Sequence, residues 1–482
     1  MFFGRNEILG QLEELSYKRV SSLVTCRGRR RVGKSTLIEE FARRTHAAFL
    51  KLEGRKPEKD IGNADELANF AAQLSQQTGS DPTPPQNWLN AFARLNDKIS
   101  DDRRTVVLLD EISWMAHYDE AFASTLKIAW DNLLKKHDGL ILVLCGSVSS
   151  WIRDNVVDNG AYLGRRSLDI VLQELPPEEC VKFWGDAAAR TSTREIVDVL
   201  SVTGGVPRYL EEIIPSLSAE ENIRRLCFRR NAVLRVDFDQ MFEDVISREQ
   251  GFAGKVLRCL TDGPQSAAEI TERLGLGKGG RVTGALELLE EAGFAAEIAA
   301  RNPETGEVPR ERRYRLKDNY CRFYLKYIEP VKDAIDAGAY EFSRLDDLAG
   351  IDAVMGLQFE NLVVNHCRSL IGHLHLGSSI VKSAAAYYRR GTKARKGVQV
   401  DLLIQTEKAN CIVEVKRQKK IEHDVIEEVD EKVRLIRRRP GVSMKTALVY
   451  DGELARSVET DGYFDALVSS SRLLGIDKLP NY

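Results

Sequence analysis

The stretch that decides the fold runs from residue 20 to residue 40, VSSLVTCRGRRRVGKSTLIEE. An apolar run of strand length passes into a loop, and the loop passes into a helix with one apolar face. The loop fits G-x-x-x-x-G-K-[ST], from Gly28 through Arg29, Arg30, Arg31 and Val32 to Gly33, Lys34 and Ser35. Glycines allow a turn tight enough for successive backbone N–H groups to point inward, and the following helix N-terminus adds partial positive charge. That arrangement suits a polyphosphate. Lys34 would reach the β and γ phosphates of a nucleotide, Ser35 would offer its hydroxyl to Mg²⁺, and Thr36 would cap the helix or line the nucleotide.

A phosphate loop needs a carboxylate partner further along the chain. Residues 101–115, DDRRTVVLLDEISWM, end an apolar strand in Asp110 and Glu111. Asp110 would hold the Mg²⁺ through its water shell, and Glu111 would orient the attacking water. The next apolar run, GLILVLCGS, ends at Ser147, which either touches the γ-phosphate and water or caps the next helix. In NGAYLGRRSLDIVLQEL, Arg165 and Arg166 are either a finger reaching a neighbour's nucleotide or a solvated loop pair. Strands alternating with helices over 1–175 predict an α/β, doubly wound parallel sheet. Helices dominate from 176 to 245, and the turn TGGVPRYLEEI marks a short helical lid.

GRRRVGKSTLI, VVLLDEISWM, LCGSVSSWI, LGRRSLDIVLQEL and GGVPRYL, in that order, resemble the prokaryotic AAA+ ATPases called the archaeal ATPase family. Those proteins belong to the STAND-like P-loop NTPases. The resemblance covers roughly residues 1 to 230 and implies ATP as the cofactor. It implies that Ser147 lies in the sensor-1 region and that Gly205 and Pro207 shape a lid turn near the nucleotide. Arg208 is then a candidate phosphate contact, with a surface residue as the alternative. The opening FFGRNEIL is similar to the family's start, which lies beside the adenine.

The chain has 482 residues, 43% hydrophobic and 29% charged, with a formal net charge of -2. That length calls for several domains, and the near-neutral total excludes a general nucleic-acid coat while leaving room for a local basic face. No apolar run approaches the roughly 18 residues of a membrane span, and the charged start lacks a signal-peptide layout. The eight cysteines are scattered singly, several in apolar runs, and with seven dispersed histidines no zinc spacing arises. A cytoplasmic location without membrane contact is expected.

From about 246 to 330 the pattern changes. GFAGKVLRCLTDG, SAAEITERLG and GKGGRVTGALELLEEAGFAAEI read as three short helices, and NPETGEVPRER joins two extended pieces. This is the layout of a winged helix. Its third helix begins with Lys278 and Arg281 but continues with Glu287, Glu290 and Glu291, while Arg310, Arg312, Arg313 and Arg315 cluster in the wing. DNA contact and packing against another domain are both open. RRYRLKDNYCRFYLKYIEP is similar to the segment that links this winged helix to the family's C-terminal domain of the DUF234 type. Its aromatics Phe323, Tyr324 and Tyr327 most simply dock a helix.

The tail, 345–482, orders its elements α-β-β-β-α-β, a mixed sheet with helices against it. GVQVDLLIQTEKANCIVEVKRQ, residues 397–418, carries Asp401 on one strand and Glu414 and Lys416 on the next. Residues two apart share a strand face, so Glu414 and Lys416 point the same way. A lone buried carboxylate is costly, and two together ask for a divalent cation, to which Mg²⁺ is suited. Lys416 could then orient a water or steady developing phosphate charge. The pattern resembles the PD-(D/E)xK, restriction-endonuclease-like fold. That resemblance gives Asp401 the central acidic position, Glu414 and Lys416 the E-x-K, and Glu360 the acidic place on the first helix. Tyr388 and Arg389 resemble an aromatic-basic element before the catalytic strands. Val400 stands where the motif has proline, a departure. Basic residues including Lys382, Arg389, Arg390, Lys393, Arg395, Lys396, Lys419, Lys420 and Arg437 to Arg439 flank the site.

The expected activity is therefore Mg²⁺-dependent ATP hydrolysis coupled to DNA binding, duplex or branched, and to phosphodiester cleavage by the tail. Self-association is an open expectation through the arginine finger. The alternative is an ATP-controlled switch whose tail binds DNA or protein without cutting.

Overall fold

The computed structural model describes residues 2–146, 150–236, 238–239, 251–277, 279–298, 300–377, 379–393 and 395–478. Contacts divide the chain into two units, Met1–Gln173 and Glu174–Tyr482.

In the first unit, β1 (Ser22–Arg27), β2 (Ala48–Glu53), β3 (Thr105–Asp110), β4 (Leu140–Gly146) and β5 (Arg166–Val171) pair in parallel in the order β2-β3-β4-β1-β5. Every residue of β3 and β4 is buried, as expected for parallel strands covered on both faces. Alternation divides them between two cores. Val107, Leu109, Leu142 and Leu144 pack with Trp88, Phe92 and Phe122 on one side. Val106, Leu108, Ile141 and Val143 pack with Leu37, Ile38 and Phe41 of the phosphate-loop helix, Lys34–Arg44, on the other.

The second unit holds the helical segment after residue 174 together with everything C-terminal to it. Three helices, Phe252–Cys259, Ala267–Arg273 and Arg281–Glu291, pack with a small antiparallel sheet of β6 (Gln265–Ser266), β7 (Ala295–Ile298) and β8 (Arg313–Leu316). Phe323, Tyr324 and Tyr327 of the next helical stretch are all buried in this core, as the docking reading expected.

The last sheet runs β13-β12-β11-β10-β9, from β9 (Val381–Arg389), β10 (Val398–Thr406), β11 (Ala409–Ile421), β12 (Ser443–Leu454) and β13 (Ala466–Ser469). The first three strands pair antiparallel and the last three parallel. β13 extends the sheet beyond the final strand that the sequence pattern suggests. One face packs on the helix Ile351–Asn365 through Phe359, Leu362 and Val363, and the helix Thr193–Thr203 shares that core through Ile196, Val197 and Leu200. The other face takes Val425, Ile426 and Val429 of the helix Asp424–Leu435. Among the described residues no helix is long and apolar enough to cross a membrane.

Candidate functional site

The phosphate loop leaves β1 at Gly28, whose φ of +151° and closeness to Leu172, the residue after β5, both exclude a side chain: a Cβ there would stand 2.3 Å from the Leu172 carbonyl oxygen. Gly33, at φ +86°, starts the helix in the left-handed region. Lys34 is buried, and its Nζ donates to the carbonyls of Gly28 and Arg29, each at 3.0 Å. Val32 and Arg29 are buried as well, Arg30 lies over the Trp114 ring at 5.2 Å, and Arg31 takes a positive φ. Thr36 is on the first helical turn. Arg5, from the opening segment, donates to the carbonyls of Val32 at 3.2 Å and Gln173 at 2.6 Å, which ties that segment to the loop.

Although β4 separates β1 from β3, the fold brings Ser35 and Asp110 together: Ser35 Oγ donates to Asp110 Oδ2 at 2.5 Å. Asp110 is buried, and its Oδ1 accepts the Glu111 N–H at 3.1 Å. Glu111 turns out of the strand at φ +46°. A hydroxyl and a carboxylate this close, at the start of the phosphate-loop helix, fit Mg²⁺ bound to a nucleotide's phosphates. Two residues that sequence reasoning passed over complete the surroundings. Glu53 is the register partner of Asp110, and burial, followed by the Asp110 charge, pushes its carboxyl above the ordinary range. Lys51 lies 3.7 Å from Asp110 and 3.2 Å from Glu39. The alternating β2 segment made them visible as strand residues, but only the strand order sets them against β3.

Ser147 lies outside the described residues. Arg165 is held on its own unit: Nε donates to Asp131 Oδ1 and Nη2 to Oδ2, both at 2.9 Å, and Nη1 donates to the Ala161 carbonyl. Arg166 donates to the Val157 carbonyl. In the second unit Arg208 pairs with Glu212 on its own helical stretch at 2.5 Å.

The C-terminal carboxylates also converge. Leu402 pairs with Val413, so Asp401 and Glu414 follow on adjacent antiparallel strands, and Asp401 Oδ2 accepts the Val415 N–H at 2.9 Å. Glu414 is only 2% exposed. Lys416 Nζ reaches Glu414 Oε1 at 3.1 Å and Glu428 Oε2 at 2.6 Å. Lys432, which the sequence reading did not single out, donates to Glu414 Oε2 from the helix Asp424–Leu435. Burial pushes the Asp401 carboxyl well up, and the charges of Glu414 and Glu360 push it further, while Lys432 opposes them. Glu360 is raised by burial against the pull of Arg322 and Arg315. For Lys416 burial favours the neutral form, yet Glu414 and Glu428 overrule it and the ammonium is held above its ordinary range. A cavity of about 360 Å³ opens here, lined by Lys396, Gln399, Asp401, Glu428, Glu431 and Lys432 among others. The oxygen donors Asp401 and Glu414 suit Mg²⁺ in kind. Even so, among the described residues no group of three or more His, Cys, Asp or Glu is gathered closely enough to hold a metal ion.

Much of the surrounding positive charge is spoken for. In the wing, Arg313 lies over the Tyr388 ring at 4.1 Å and pairs with Glu269 at 2.9 Å, Arg315 donates to Asn361 and Asn365, and Arg312 pairs with Glu297. Arg281 covers the Phe252 ring at 4.0 Å. Arg313 and Arg315 are therefore engaged in packing, whereas Arg312 stays largely exposed. Arg395 and Lys396 pair with Glu304 and Glu431, and Arg389 donates to the Leu435 carbonyl. Among the described residues Arg390, Lys393 and Arg438 of the same C-terminal part are exposed and outside the ion pairs described.

Residues 2–213 match the family model of an ATPase domain predominantly from Archaea. The chain is 24% identical over 420 residues to an uncharacterised protein of Methanocaldococcus jannaschii, MJECL04, covering 86% of this chain and 87% of that one. Among solved structures it is similar to a Walker-type ATPase of Pyrococcus abyssi, with 17% identity, a TM-score of 0.49, and 67% of this chain and 96% of that one covered. It is also similar to an Aeropyrum pernix ORC2 protein solved with ADPNP and ADP, with 15% identity, a TM-score of 0.44, and 68% and 94% covered. The family match spans the phosphate loop, Asp110 and Glu111, whose geometry suits a nucleotide triphosphate. Residues 2–213 contain a P-loop ATPase domain, which binds and hydrolyses ATP.

Proposed function

We propose that ATP is bound and hydrolysed as its Mg²⁺ complex, and that this cycle controls DNA binding and phosphodiester cleavage by the C-terminal part of the chain. In this reading the N-terminal unit is an AAA+ core. Lys34 leaves the loop carbonyls for the β and γ phosphates, Ser35 and Asp110 hold the metal, and Glu111 aligns the attacking water. Residues 176–245 act as the lid with Arg208 a candidate phosphate contact, 246–330 as a winged helix, and 345–482 as a PD-(D/E)xK-type domain.

The observation that carries the tail's role is the junction of β10 and β11. Asp401 and Glu414 stand on adjacent strands with Lys416 two residues on, and Asp401 lines a cavity that Lys396 and Lys432 also line. Paired acidic oxygens would bind Mg²⁺, which would polarise a phosphodiester and lower the pKa of a bound water. Lys416, next to Glu414, would steady the charge that develops on the phosphate.

The test is metal- and ATP-dependent cleavage of a mixed set of duplex, single-stranded, flapped and branched DNA by wild type and Asp401→Ala. Cleavage by wild type that disappears in the variant is the expected result. No cleavage of any substrate would favour the second reading, an ATP-controlled switch whose tail binds without cutting. That reading draws on one observation, the bond from Lys432 to a carboxylate that a metal would need.

A further inference from the structure

Glu414 accepts from two lysines at once. Lys416 takes Oε1 from the same strand, as the E-V-K spacing implies, whereas Lys432 takes Oε2 from a different element, the helix Asp424–Leu435. Lys432 also acts on the other two acids of the site. Its charge opposes the burial that raises the Asp401 carboxyl, and it does the same for Glu360. One ammonium thus contacts Glu414 and lines the cavity beside Asp401, where a divalent cation would otherwise sit. Glu428 and Glu431 of its own helix line the same cavity. Lys416 already bridges Glu414 to Glu428, so the first of these acids is within reach of the lysine pair.

We propose that Lys432 is a built-in competitor for the divalent cation of the Asp401–Glu414 site. With Lys432 on Glu414, the carboxylates are neutralised by the chain itself and the metal is bound weakly. For Mg²⁺ to enter, the lysine must leave Oε2 and move into the cavity toward Glu428 and Glu431, where its charge faces an incoming phosphodiester. Only the ion pairs change, and no covalent step is involved. The inference rests on the proposed metal site, and its test separates the two.

The full chain carrying Asp110→Asn, which weakens the phosphate-loop metal site, is titrated with Mn²⁺ in the absence of nucleotide and followed by the paramagnetic signal of free Mn²⁺. Lys432→Gln keeps a hydrogen-bond donor for Glu414 and should raise Asp401-dependent Mn²⁺ affinity about tenfold or more, the scale of removing one unit charge at contact distance. Lys432→Arg should keep the low affinity, which general loosening of the fold would not do. Without any substitution at Lys432, Mn²⁺ should increase its acylation by a small amine-reactive reagent, read by peptide mass spectrometry. This second readout stands even if the Lys432→Gln variant does not fold. Equal Asp401-dependent affinity with and without the Lys432→Gln substitution, or unchanged acylation on saturation with Mn²⁺, overturns the competitor. Absence of any Asp401-dependent binding in all of these proteins overturns the metal site and the competitor with it.

Discussion

Arg165 donates to both oxygens of Asp131 from two guanidinium nitrogens, a two-point contact that fixes the side chain far better than a single bond. Arg165, with help from Lys127, holds the Asp131 carboxyl well below its ordinary value, against the opposing effect of burial. For a depressed carboxylate the stabilisation is complete above the unfolded value of 3.8 and is lost as pH falls through the folded one. Asp131→Asn should therefore cost about 1 kcal/mol near neutrality, a figure discounted for partial exposure, and progressively less below about pH 3. Urea unfolding of both proteins at the two pH values checks it, and a difference that grows in acid would reverse the sign argued here. The sequence presented Arg165 and Arg166 as equals, because charge alone does not reveal a partner 34 residues away. The same limit hid Lys432. It lies on a helix that packs against β10 and β11, a placement that local spacing does not carry.

Elements were easier to read than their neighbours. GGVPRYL identified a helical segment, but the surface it covers was not in the local pattern. The helix Thr193–Thr203 lies on the C-terminal sheet, and an ion cluster pins it there. Arg194 pairs with Asp451 at 2.7 Å, Arg417 pairs with Asp198 and lies 3.7 Å from Asp451, and Ser470 donates to Asp451. Arg417 is 5% exposed and Asp451 3%, so removing one charge leaves others buried and uncompensated. Arg417→Met should destabilise the chain by about 3–5 kcal/mol, whereas an exposed pair would cost under about 1. Denaturant unfolding measures the difference, and a loss below about 1 kcal/mol would mean that the cluster is not what holds the helix. The wing makes the same point from the other side. Its run of arginines suggested a nucleic-acid contact as readily as packing, and Tyr388, Glu269 and Asn361 decide the matter for Arg313 and Arg315.

Across the whole molecule, legibility followed sequence distance. The phosphate loop is a local motif, so Gly28 to Ser35 could be read directly, and the apolar strand before Asp110 marked the carboxylate pair. That Ser35 would touch Asp110 required the order β3-β4-β1, for which the motif spacing was only indirect evidence. Glu53 and Lys51 needed β2 at the sheet edge and could not be found from spacing. In the tail, the period of two residues put Glu414 and Lys416 on one face, and antiparallel pairing supplied Asp401. The ion pairs that surround them belong to helices whose placement is non-local. On the proposed function, one chain links an ATP cycle to DNA binding by its C-terminal part. The most direct measurement is steady-state ATP hydrolysis by the full chain with and without mixed duplex and branched DNA, alongside Lys34→Ala. The account predicts that DNA changes the wild-type rate, that the change fades as salt screens the phosphates, and that Lys34→Ala hydrolyses no ATP in either condition. A wild-type rate indifferent to every DNA at low salt, or hydrolysis that persists in Lys34→Ala, would contradict it.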